Sequence, residues 1–219
     1  MANEKLIPFL KKLKANNHKE WFDLNRKEYD AVREELISTV DNILKKMAKF
    51  ESFAEKQEAK KCMFRINRDI RFAKDKTPYK INMGASFTDG GKKSPKGGYY
   101  LHIEPGNSFL AGGIWQPETD TLKKLRQEID YNGAELKKII KAKDFKTFFG
   151  ELDREGELKK LPKDFEEGHQ HTDLLKLKSF IVVHPFKDKE VSSKDFPEYA
   201  AKVFKAIYPL NKFLNQVFE

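Results

Sequence analysis

A single cysteine, Cys62, in 219 residues excludes an intramolecular disulfide and a thiolate metal cluster, and it suits a reducing compartment. No apolar run approaches the ~18–20 residues of a membrane span. The opening MANEKLIPFLKKLK is charged by Glu4 and lacks the long apolar core of a secretory signal. The expectation is a soluble, cytoplasmic protein with no membrane partner. Neither G-x-x-x-x-G-K-[ST] nor G-x-G-x-x-G occurs, so nucleotide binding of those known kinds is unsupported. Ser86, Ser94 and Ser108 lack a nucleophile-elbow context, and no spacing of His, Cys, Asp and Glu matches a zinc pattern. No metal ligand set is expected, and the sequence identifies no particular cofactor. There is no internal repeat, long low-complexity tract or clear domain boundary.

What is present is a globular composition, 39% hydrophobic and 12% aromatic with 18 Phe, on a chain long enough to bury a core. The formal net charge is +9, and it is not spread evenly. Residues 60–80 hold eight Lys or Arg against two Asp, which is six of the nine excess charges in a tenth of the chain. A concentrated surplus points to an anionic partner more than a dispersed one does.

Leu6, Phe9, Leu10 and Leu13 share one face of a short helix. Asn16 is expected to end it in the left-handed conformation, and Asn17 with Glu20 resembles a capping box that opens a long helix reaching about Phe50. Its stripe is Trp21, Asn25, Tyr29, Val32, Leu36, Val40, Ile43, Met47 and Phe50. Asn25 is the polar member. It reads either as an open helical turn or as the lining of a pocket with Trp21 and Tyr29. An extended run over 62–72 would put Cys62, Phe64, Ile66, Ile70 and Phe72 on one face, with Arg65, Asn67, Asp69 and Arg71 on the other and a bulge near Arg68.

Ile81 to Thr88 alternates as a strand with one small polar face, and DGGKKSPKGG at 89–98 is a Gly-rich loop. A hairpin follows, with strands near Tyr99–Glu104 and Ser108–Trp115 about Pro105-Gly106-Asn107. Gly112-Gly113 admits close backbone approach. Three helical segments are expected around Leu122–Ile129, Leu136–Ile140 and Phe145–Phe149. Short strands are expected near Glu151-Leu152 and Leu158-Lys159, then a strand over Ser179–Phe186. A last helix runs from about Phe196, kinked at Pro209. These elements imply one α+β domain over residues 1–219, a largely antiparallel sheet flanked by helices, with a long N-terminal helix and a C-terminal helix.

Two constellations carry chemistry. Arg65, Arg68, Arg71, Lys76, Tyr79 and Lys80, with Lys74, Asp69 and Asp75 among them, offer guanidinium forks and ammonium point charges suited to phosphate or carboxylate. The same residues read equally as an Arg–Asp network that ties a loop to a sheet. His102 and Glu104 lie two apart on a strand, so they project from one face with Tyr100. An imidazole beside a carboxylate suits general acid–base work, though a half-solvated sheet face has the same pattern. Trp21, Asn25 and Trp115 are secondary pocket candidates. His169, His171 and Asp173 read as surface histidines before a helix cap at Asp173.

Four stretches carry a family resemblance: FLKKLKANNHKEWFDLNRKEYDAVR at 9–33, RINRDIRFAKDKTPYKIN at 65–82, GGYYLHIEPGNSFLAGGIWQPE at 97–118 and LLKLKSFIVVHPF at 174–186. Together they resemble a widespread, mostly bacterial family of uncharacterised proteins, domain of unknown function 2461. The resemblance supplies no activity, substrate or catalytic residue. The functional expectation is therefore an anionic small molecule held by the basic block, with acid–base catalysis as an open addition. A nucleic-acid-binding module and a purely structural Arg–Asp network are the alternatives.

Overall fold

The computed structural model describes residues 3–219. Its elements follow in chain order: α1 (Leu6–Ala15), α2 (Lys19–Leu24), α3 (Arg26–Met47), a 3-10 turn (Ser52–Lys56), α4 (Ala59–Cys62), β1 (Met83–Phe87), β2 (Gly98–Ile103) and β3 (Ser108–Ile114). Then come α5 (Thr119–Lys141), α6 (Lys143–Phe148), α7 (Thr172–Leu175), β4 (Phe180–Phe186), α8 (Asp188–Val191) and α9 (Phe196–Asn215). The strands make one antiparallel sheet in sequence order, so each strand pairs with its chain neighbour. This is the expected α+β class. No helix among the described residues is long and apolar enough to cross a membrane.

The chain divides into two compact units. Unit 1 runs through Phe87 and adds Tyr100–Leu110 and Pro185–Lys202. Its core is the apolar face of α1, with Leu6, Phe9, Leu10 and Leu13, and that of α3, with Tyr29, Val32, Leu36, Val40, Ile43 and Met47, all buried. Full burial of each such side chain stabilises by roughly 1.5–3 kcal/mol. The buried thiol of Cys62 ends α4 and donates to Gln57 Oε1 at 3.4 Å.

Unit 2 comprises Thr88–Tyr99, Ala111–His184 and Val203–Glu219. Here Tyr99 packs on Phe204 at 5.2 Å, and the Gly-rich loop returns to the sheet under two asparagines of α9. Asn215 accepts from Gly97 N–H at 2.7 Å and donates to Gly97 C=O at 3.1 Å, while Asn211 donates to Gly98 C=O at 3.0 Å. A Cβ on Gly112 would lie 2.7 Å from Ile207, and one on Gly113 would lie 2.0 Å from Phe180 C=O. The close backbone approach expected of this pair is therefore present on both residues.

Several local expectations need correction. The long helix is interrupted, because Asn25 takes non-helical φ −104° and ψ 15° between α2 and α3. Its side-chain amide donates to Trp21 C=O at 2.8 Å, a second bond to a carbonyl that also accepts from the Asn25 backbone N–H at 3.0 Å. Asn16 is not left-handed, with φ −134°. The cap of α2 is His18, whose Nδ1 accepts from Trp21 N–H, and Asn17 is left for another task. The run 62–72 is not a strand. Only isolated bridges form, Met63 with Ala85 and Asn67 with Tyr79, and Phe72 stands 96% exposed. No strand forms at 151–152 or 158–159; the nearby backbone bonds are single ones, from Asp153 N–H to Ile181 C=O and from Leu158 N–H to Lys176 C=O. The two segments expected after Pro117 are joined in α5 across a kink at Asn132, and His171, not Asp173, caps α7.

Gly113 provides a direct test of the sheet. Its φ of 112° already disfavours a side chain, and the space beside it is filled by the backbone of Phe180 and Ile181. Gly113→Ala is expected to destabilise the protein by at least about 2 kcal/mol in chemical denaturation. Gly106→Ala, at a positive-φ turn with open space around it, should cost only about 1 kcal/mol.

Candidate functional site

The basic block lies wholly in unit 1, and its geometry begins at the root. Lys80 N–H donates to Ile66 C=O at 2.8 Å and Arg68 N–H to Pro78 C=O at 2.9 Å, so residues 66–68 and 78–80 pair as a short antiparallel neck. Antiparallel pairing leaves the intervening residue facing the other way. Tyr79 duly turns its own N–H and C=O outward, and both meet one side chain. Asn17 Oδ1 accepts from Tyr79 N–H at 3.1 Å, and Asn17 Nδ2 donates to Tyr79 C=O at 2.9 Å. The amide acts as a one-residue strand partner. The Tyr79 ring is buried, stacked on Phe22 at 4.0 Å and 17°. Tyr79 therefore anchors the loop.

Above the neck, residues 69–77 form a cross-tied loop. Arg68 Nη1 donates to Asp75 Oδ2 at 2.5 Å, to Thr77 C=O at 3.1 Å and to the Thr77 hydroxyl. Asp75 also accepts from Thr77 N–H and Thr77 Oγ1, each at 2.9 Å. The Thr77 amide, then the Arg68 guanidinium and the Thr77 hydroxyl, hold the Asp75 carboxyl down at about 2. Arg71 grips both oxygens of Asp69, Nε to Oδ1 at 2.9 Å and Nη2 to Oδ2 at 2.6 Å, and this pair holds Asp69 below the usual carboxylate range. Lys76 Nζ donates to Ile70 C=O at 3.0 Å. Arg65 and Lys74 are exposed. Arg68 is thus built into the loop, whereas Arg71 with Asp69 lies at the surface.

The second constellation stands on β2. Tyr99, Leu101 and Ile103 are buried, and Tyr100, His102 and Glu104 share the half-buried opposite face. The Tyr100 hydroxyl lies 3.0 Å from His102 Nδ1, and His102 Nε2 lies 3.1 Å from Glu104 Oε2. An ionised carboxylate only accepts, so Glu104 places the ring proton on Nε2. Nδ1 is then the acceptor for the Tyr100 hydroxyl. Burial, with the nearby charge of Glu104, pushes the Tyr100 phenol up, which keeps it protonated and a proton donor at neutral pH. Phe109 of β3 stacks on the His102 ring at 4.6 Å and 10°. A Cβ on Gly84 of β1 would lie 2.8 Å from the Tyr100 hydroxyl, so glycine gives that hydroxyl its place.

Phe64 touches both constellations. Its ring meets Tyr100 edge-on at 5.9 Å, and Lys80 Nζ lies 5.4 Å from its centroid. The other candidates are dispersed. Trp21 packs on Phe9 at 6.0 Å and Asn25 is turned onto the end of α2, both in unit 1. Trp115, 68% exposed, belongs to unit 2. In that unit His169 bonds Asp130 at 2.9 Å, and the buried His171 lies against Gly133, with burial holding it below its ordinary value.

Sequence reasoning missed Asn17, Phe109 and Gly84 as parts of these sites. Hairpin register about Pro105-Gly106 would have paired His102 with Phe109. The reach from Asn17 to Tyr79 leaves no local signal.

The family model described as a conserved hypothetical protein, DUF2461, matches residues 5–213. The chain belongs to this family. No curated protein and no solved structure matches it. The match covers α1, the basic loop, the β2–β3 hairpin and α9 as far as residue 213, so every site residue lies inside the family's extent.

Two outcomes follow from the neck and the loop. Asn17→Ala removes both bonds to Tyr79 and should cost about 1–3 kcal/mol, with faster amide exchange at Tyr79 as the local readout. Asp75 is depressed in the folded chain, so its contribution is complete above about pH 4 and is lost as pH falls through about 2. In Asp75→Asn the Thr77 amide should exchange faster at neutral pH and lose that acid dependence.

Proposed function

We propose that unit 1 binds a phosphate- or carboxylate-bearing small ligand, with cations of the Arg65–Lys80 block holding the anion. The Tyr100–His102–Glu104 row supplies acid–base chemistry beside it. The observation that supports this most is the row itself, three hydrogen-bonded polar side chains on one half-buried face with Phe64 between them and Lys80. Polar groups withdrawn from water cost free energy unless paired, and here they are paired with one another in the order a proton relay requires. Glu104 orients His102, His102 takes or returns a proton at Nδ1, and Tyr100 is the member that faces a ligand.

The cations divide their work. Arg68 maintains the loop, and Arg65, Lys74 and Lys80 are the ligand's candidates. Lys76 keeps two of its three N–H donors after its bond to Ile70. Arg71 uses two of five side-chain donors on Asp69 and lies at the surface, which leaves three donors for an incoming anion.

The test is thermal denaturation with inorganic phosphate, pyrophosphate and succinate at moderate salt. An anion at 100 times its dissociation constant should stabilise by about 2.7 kcal/mol, and Lys74→Ala with Lys76→Ala should remove the shift. His102→Ala should keep the shift. Binding through one small anion should depend weakly on salt, whereas duplex nucleic acid would show a log–log slope of about −0.9 per phosphate neutralised. A melting temperature unmoved by every anion would leave the Arg68–Asp75 and Arg71–Asp69 pairs as ties within the fold alone.

A further inference from the structure

We infer that the anion bound by the basic loop is carried on a nucleobase, so that Phe72 stacks on the base while Arg71, Lys74 and Lys76 meet the phosphate. The inference rests on the anion-binding reading above and names the class of ligand. Free nucleotides and the end of a single strand share this chemistry.

Phe72 is 96% exposed, the most exposed large hydrophobic side chain among the described residues. Its setting is not a loose tail. The nine residues 69–77 are tied by Arg68 to Asp75 and Thr77, by Asp75 to the Thr77 amide, by Arg71 to Asp69 and by Lys76 to Ile70. The neck below is clamped by Asn17 and by the Phe22–Tyr79 stack. An ordered loop therefore presents an aromatic ring to water. The Arg71 guanidinium lies 5.9 Å from that ring and is oriented by both oxygens of Asp69. A ring beside a planar cation suits a π-faced anion, since bases stack on aromatic rings and on guanidinium planes alike.

Charge agrees. Residues 65–80 hold six cations against two carboxylates, and both carboxylates are occupied by arginines. The remaining surplus, Lys74 and Lys76 among it, lies within eight residues of Phe72 along the chain. An anionic lipid surface would also attract these charges, but seating Phe72 in the acyl region would draw the Arg71–Asp69 pair with it into a low dielectric, which is costly for both ions. A stacked base leaves that pair in water. An acidic peptide would engage the lysines and has no use for the ring.

The experiment measures equilibrium binding to the full chain of ribose 5-phosphate, adenosine monophosphate and a ten-nucleotide oligothymidylate. The first two carry the same phosphate and differ by the base. The base is expected to tighten binding about ten-fold or more, the range of one base–aromatic stack. Phe72→Ala should remove that gain and leave ribose 5-phosphate binding unchanged, while Phe72→Trp should keep it. Phe72 is 96% exposed, so circular dichroism and melting temperature should not move. Tighter binding of the oligomer than of the monophosphate marks a single strand as the source, and equal binding marks a free nucleotide. Equal affinity for ribose 5-phosphate and adenosine monophosphate would overturn the inference and leave the anion reading standing. Failure of both to bind, together with inorganic phosphate and pyrophosphate, would remove the anion reading itself. Phe72-dependent binding to phosphatidylserine vesicles with no nucleotide binding would replace the base with a membrane.

Discussion

One side-chain amide fixes the position of the basic loop. Antiparallel pairing at 66–68 and 78–80 uses the backbone groups of Pro78 and Lys80, and it necessarily turns those of Tyr79 outward. Buried N–H and C=O groups left unpaired are expensive, so the neck needs a second partner on its far side. Asn17 supplies it with two bonds, and the Tyr79 ring then fills the space over Phe22. With the neck held from both sides, the ties among Arg68, Asp75 and Thr77 close a small ring of contacts. Without it they would tie a loop to nothing.

The sheet face beside the loop obeys the opposite economy. Tyr100, His102 and Glu104 satisfy one another along a single strand, which needs only the two-residue side-chain period. Cross-strand neighbours do the shaping. Phe109 flattens the imidazole from β3, and Gly84 withholds a side chain from β1 so that the phenol lies over its backbone. A protonated tyrosine at the head of an oriented imidazole is a donor, and this polarity of the row is set by Glu104 at the other end.

Much of this was legible in the sequence, and the limits are physical. Period-two alternation located β1, the β2–β3 hairpin and the shared face of His102 and Glu104, because each depends on residues within one strand or one turn. Helical periodicity found the core faces of α1 and α3 but ran straight through Asn25, since a stripe of side chains does not record a break in the backbone. The same blindness misread 62–72. Alternating apolar residues suggested a strand there, yet Phe64 and Phe72 are exposed and the chain pairs only through isolated bridges. Local charge and a Thr-Pro-Tyr turn identified the block, and the class α+β followed from the elements. Asn17 looked like a helix cap because capping is a local rule, and its long-range partner outbid it.

Cys62 gives this arrangement its own gauge. The chain's single thiol is 4% exposed, bonds Gln57 at the end of α4, and sits one residue before Met63 bridges Ala85. A thiol reagent can reach it only when that short stretch opens. The rate of modification would therefore report how often the segment leading into the basic loop detaches from β1, on the unmodified sequence and with no introduced label.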